Sequence, residues 1–130
     1  MKTLITILII LSASITSMAQ NSIDELFESY KSVGNSKFTS AVERDPNTHE
    51  VVKVVKMIES DVISVKSFKK AFEQEAVKAT SANKNVTDNN ISHVLVFESD
   101  KQIRIYSLKY DNRPGFSWIN ASIIIKYIKK

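Results

Sequence analysis

Apolar and polar positions alternate along this chain in ways that predict seven elements. Ile23, Leu26, Phe27 and Tyr30 recur at the spacing of one helical stripe. Ser22-Ile-Asp-Glu25 has the form of a capping box: the Ser22 hydroxyl would accept the Glu25 amide, and the Glu25 carboxylate would reach back to the Ser22 amide. Asp24 and Glu25 suit the positive first turn, Lys31 suits the last, and Gly34 suits the position after the helix end. These signals predict a helix over 22–33. Over 37–44, Phe38, Ser40 and Val42 alternate with Thr39, Ala41 and Glu43, a strand pattern. Asp45-Pro-Asn-Thr48 is a turn, with Pro46 presetting φ, Asp45 bonding the turn amides and Asn47 tolerating a left-handed backbone.

The run EVVKVVKMI from Glu50 to Ile58 fits both periods, since Val51, Val54, Val55 and Ile58 also make a helical stripe. Its four valines, stiff at χ1, and the preceding turn favour a hairpin, with a second strand at about 50–60. A second helix is predicted over 64–79. Val65, Phe68, Ala71, Phe72 and Ala76 form its apolar stripe; Lys66, Lys69, Lys70, Glu73, Glu75 and Lys78 form its wet side. Residues 80–90 are polar and read as a loop. Three strands follow, 91–98, 102–110 and 118–128, joined by a short reversal at Ser99-Asp-Lys101 and a turn at Asp111-Asn-Arg-Pro-Gly115. The order α-β-β-α-β-β-β implies a two-layer α+β domain, an antiparallel sheet of about five strands with two helices on one face.

Alternation also assigns faces. Ile119, Ala121, Ile123, Ile125 and Tyr127, with Ile91, Leu95 and Phe97, are expected beneath the helices. Trp118, Asn120, Ser122, Ile124 and Lys126 point the other way, as do Val94 and Val96. The strand 102–110 is ambiguous, because Ile103 and Ile105 oppose Tyr106, Leu108 and Tyr110; a bulge there would switch faces. Two helices cannot cover both faces of such a sheet. One face is therefore expected to carry a partly apolar patch including Val94, Val96, Trp118 and Ile124. The competing explanation is strand propensity alone, with β-branched residues scattered among polar ones.

The first residues, MKTLITILIILSASITSMAQ, change the picture of where this domain works. Lys2, an apolar run from Leu4 to Leu11 and small residues at Ser17 and Ala19 make the three-part pattern of a secretory leader. The run is shorter than the ~20 apolar residues a spanning helix needs. Residues 1–19 are read as a signal peptide cleaved near Ala19/Gln20, and 20–130 as one domain, periplasmic or secreted, with no transmembrane segment in the mature chain. A chain of 130 residues can build one core, burying roughly two-thirds of its unfolded surface. There is no Cys, so disulfides, thiolate metal sites, a cysteine nucleophile and a lipid-anchored Cys are all excluded. Without Lys2 of the leader the net charge falls from +4 to +3, 17 basic against 14 acidic residues, too mild to argue for nucleic acid.

Catalytic patterns are missing. His49 and His93 stand at no metal-ligand spacing, and two glycines allow neither a phosphate-binding loop nor a nucleophile elbow. His93, on one strand face with Ile91, Leu95 and Phe97, is read as a partly buried or edge histidine with a hydrogen-bond partner. No catalytic residue, metal ligand or cofactor is assigned. Tyr106, Tyr110, Phe116, Trp118 and Tyr127 cluster in the last two strands. They would serve either as a stacking platform for sugar or peptide or as cross-strand packing. Lys126, Lys129 and Lys130 read as a solvated end that blunts a strand.

SKFTSAVERDPNT, VVKVVKMI, SFKKAFEQEA and the closing IIIKYIKK, with the leader and the short capped helix, resemble a small exported family of unknown function found in Gram-negative gut bacteria. The resemblance implies an exported α+β domain and transfers no residue role. Two functions are carried forward. The first is a non-enzymatic interaction domain of the bacterial envelope, binding a protein partner or itself through Val94, Val96, Trp118 and Ile124. The alternative is a small-ligand binder using Tyr106, Tyr110 and Trp118.

Overall fold

A computed structural model describes residues 21–31, 36–61, 65–113 and 118–128. Helix α1 spans Ser22–Tyr30, and strands β1 (Ser36–Arg44) and β2 (Val51–Ser60) form a hairpin. Helix α2 spans Val65–Ala76, and β3 (Ser81–Val86), β4 (Asn90–Glu98), β5 (Gln102–Asp111) and β6 (Ile119–Tyr127) follow. The fold is α+β, with one antiparallel sheet in the order β1-β2-β6-β5-β4-β3. The last strand thus closes the gap between the hairpin and the meander. No helix among the described residues is long and apolar enough to cross a membrane.

The sheet has six strands where about five were expected. The extra one, β3, lies in the polar stretch read as a loop. All six of its residues are exposed, because it is an edge strand outside the cover of the helices. A strand wet on both faces leaves no apolar period to read. Its backbone still pairs with β4, from Ser81↔Val96 to Val86↔Ile91.

The start of α1 also differs from the expected box by one residue. Asn21 is the cap: its Oδ1 accepts from the amides of Ile23 (2.9 Å) and Asp24 (3.0 Å), and Asp24 Oδ2 accepts from the Asn21 amide at 2.8 Å. Asn, Asp and Ser cap about equally well, so tertiary contacts decide. The shift frees Ser22 to donate its hydroxyl, at 2.7 Å, and its amide, at 3.1 Å, to Glu75 on α2. Glu75, expected on the wet side, is accordingly buried. In the β1–β2 turn Asp45 Oδ1 accepts from the amides of Asn47 and Thr48 as expected, but the left-handed residue is His49, at φ 62°. Gly34, Ser64, Gly115, Phe116, the closing lysines Lys129 and Lys130 and the leader lie outside the described residues.

The core lies between the helices and one sheet face. Ile23 and Phe27 of α1 and Phe68, Ala71 and Phe72 of α2 close over Ile58, Leu95, Tyr106, Leu108, Ile119, Ala121 and Ile123. Phe27 meets Phe68 edge-on at 6.0 Å, and Tyr30 stacks on Phe68 at 5.6 Å. Leu26, Phe97 and Ile125, expected in the core, are partly buried at its margin.

Candidate functional site

The registers fix the content of the face away from the helices. Ala41, Val55, Ile124, Ile105 and Val96 are consecutive cross-strand partners, a row running through β1, β2, β6, β5 and β4. The next row below is Thr39, Met57, Ser122, Ser107 and Val94; the next above is Glu43, Lys53, Lys126, Ile103 and Glu98. Val94 and Met57 are 37% and 38% exposed, and Val55, Val96, Ile103, Ile105 and Ile124 are half-buried among one another. Among the described residues no element crosses this face. Alternation carried one residue back from β6 adds half-buried Trp118, whose carbonyl accepts from the Asp111 amide at 3.3 Å.

Four of the six candidate residues, Val94, Val96, Trp118 and Ile124, therefore fall on the open face. Tyr106 and Tyr110 fall on the opposite one, 0% and 5% exposed beneath the helices. No bulge interrupts β5 against β4 or β6. The even positions Arg104, Tyr106, Leu108 and Tyr110 are inward, and Ile103 and Ile105 are outward. The bulky even set fills the core because that is the side the two helices cover.

Beneath the helices lies a polar cluster that linear spacing did not predict. Asp24 accepts from Arg104 Nη2 at 2.9 Å and from the Tyr106 hydroxyl at 3.1 and 3.2 Å, besides its bond to the Asn21 amide. Burial holds the Asp24 carboxyl above the usual carboxylate range, against the opposing pull of Arg104, Asn21, Tyr106 and Lys56. Burial and the Asp24 charge push the Tyr106 phenol well up, so it stays a donor. The cluster borders a cleft of about 200 Å³ flanked by Glu28, Lys56, Gln102 and Tyr127. Arg104 shares parity with Tyr106, Leu108 and Tyr110, so once the structure shows which side of β5 is covered, a charge sits in the inward set. Asp24, read as a first-turn charge, carried no sign of its partner 80 residues away.

His93 is buried, 7% exposed, between Phe72 (6.1 Å) and Tyr110 (stacked, 6.0 Å). Among the described residues its Nε2 and the Tyr110 hydroxyl find no hydrogen-bond partner. Burial, then Lys84, pushes the imidazole pKa down, with Glu73 opposing and Lys69 adding a smaller lowering. Among the described residues no three His, Asp or Glu side chains gather as a metal would require.

A family model, described as a domain of unknown function, DUF5024, matches residues 20–119. The chain belongs to the DUF5024 family. The matched span stops at the first residue of β6, yet β6 lies between β2 and β5. The folded DUF5024 unit here therefore extends past the matched residues. No curated protein and no solved structure matches the chain.

Proposed function

We propose that this DUF5024 chain is an exported, non-enzymatic binding domain of the bacterial envelope whose open sheet face receives a protein. The carrying observation is the row Ala41, Val55, Ile124, Ile105 and Val96, apolar across five strands and left uncovered by the described residues, both helices packing on the other side. A continuous apolar patch rimmed by charge is the ordinary form of a protein contact. Export is supported by the leader pattern of residues 1–19. The small-ligand alternative loses support where Tyr106 and Tyr110 lie under the helices.

The test is a photo-activated cross-linking residue in place of Val94, compared with one in place of Val77, which is 85% exposed beyond α2. Adducts from position 94 and none from 77 support the reading; adducts from 77 alone overturn it. Val96→Lys should abolish the adducts while leaving the melting temperature nearly unchanged. A variant that unfolds would place Val96 in the core and overturn the face assignment.

A further inference from the structure

We propose that the open face joins two copies of this chain about a two-fold axis running along the strands, midway between β6 and β5. The inference rests on the binding role argued above and names the partner. Three strands lie on each side of that line, β1, β2, β6 and β5, β4, β3. Rotation about it preserves height along the strands and exchanges the two halves, so β2 faces β4 of the second copy and β6 faces its β5.

In the observed registers, Val55 then meets Val96 of the second copy, Met57 meets Val94, Ile124 meets Ile105 and Ser122 meets Ser107. One row higher, Lys53 meets Glu98. Lys126 falls on Ile103, Glu59 on Ser92 and Lys109 on Asn120, so no like charges are opposed. Self-complementarity of this kind is what a two-fold contact demands and what an unrelated partner would not impose. A two-fold axis across the strands does worse. Either it sets Ile124 and Ile105 on Ser122 and Ser107, or it stacks the apolar row on itself and sets Lys53 against Met57 and Glu98 against Val94.

Charge within one chain points the same way. Lys53 stands between two direct cross-strand partners, Glu43 on β1 and Lys126 on β6; like charges so placed repel, and one Glu faces two Lys in this row on the hairpin side. Among the described residues Lys53, Lys126 and Glu98 form no ion pair. Glu98 of a second copy would offset the repulsion. Six strands about 4.8 Å apart and four rows of side chains make a patch of roughly 600 Å². Two copies would bury about 1,200 Å², the lower end of stable interfaces. Facing sheets keep their strands within about 30° of each other, an offset that Lys and Glu side chains span.

The experiment is sedimentation velocity on the chain as isolated from the expressing cell, over a range up to about 100 μM, with circular dichroism to check folding. A concentration-dependent dimer is expected. Val96→Lys should raise its dissociation constant at least about tenfold, because the two-fold axis counts the change twice. Val94→Lys, at a more exposed position on the same face, should do the same. Lys53→Glu or Glu98→Lys alone should weaken the dimer, and the two together should restore it. Within one chain these residues are three strands, about 14 Å, apart, so rescue must act between copies. Absence of rescue overturns the axis. A monomer at every concentration overturns the second copy, and the binding role is then judged separately by the Val94 cross-link to a protein of different mass. A dimer indifferent to Val94→Lys and Val96→Lys overturns both.

Discussion

Asp24 joins three parts of the molecule through one carboxylate: the cap of its own helix, Arg104 and Tyr106. Burial outweighs these donors in setting its pKa, so the ion pair orients α1 on the sheet more than it stabilises the fold. Removing one partner is another matter, because it strands a buried charge. Arg104→Met should cost about 3–5 kcal/mol in chemical denaturation, and Tyr106→Phe only about 1 kcal/mol. Equal losses would show that Arg104 contributes no more than a neutral hydrogen bond. His93 makes stability depend on pH. Its folded pKa lies below the ordinary 6.5, so the unfolded chain takes up the proton first. Stability should hold above about pH 6.5 and fall as the pH drops below it toward the depressed value. His93→Phe should flatten that fall; an unchanged profile would assign the dependence to other groups. Neither feature was fully legible in linear order. The parity of His93 with Leu95 and Phe97 showed which way it points, while for Arg104 the structure decided the face, and burial and distant partners decide what such a direction costs.

The elements differ in how much of each was readable. Helix α2 announced itself through Val65, Phe68, Ala71, Phe72 and Ala76, and the structure buries Phe72 to 1% exposure. Phe72→Ala should cost about 3–5 kcal/mol, measured as a lower denaturation midpoint; a loss under about 1 kcal/mol would mean that the site collapses around the gap. For α1 the stripe was readable but the cap was displaced by one residue, since Asn21 and Ser22 are chemically equivalent candidates. Asn21→Ala should cost about 1 kcal/mol, with Ser22→Ala acting instead through Glu75 on the other helix. Strand β2 was recognised by valine stiffness against a competing helical period. Strand β3 was missed because its pairing is backbone chemistry that SANKNV does not advertise.

On the scale of the whole molecule, stability comes from packing, because the chain holds no thiol. Reducing agent and chelator should therefore leave the melting temperature unchanged; a shift of several degrees with chelator would show a metal site. Export predicts a chain that begins at Gln20 by N-terminal sequencing, and a membrane-bound chain still carrying Met1 would refute it. The amino-acid sequence by itself determined the α+β class, both helices, five of the strands and the side of β4 and β6 that faces the helices. Those follow from local periodicity, which is a property of neighbours in the chain. Tertiary structure alone decided that β6 enters between β2 and β5, that β3 joins the edge, and that Asp24 meets Arg104. It also aligned Ala41, Val55, Ile124, Ile105 and Val96 in one row. Each of these is a choice of partner across tens of residues, and the strand pattern is compatible with several. The choice falls to the arrangement that buries the inward faces of the central strands β2, β6, β5 and β4 under two helices at once, which no single segment encodes.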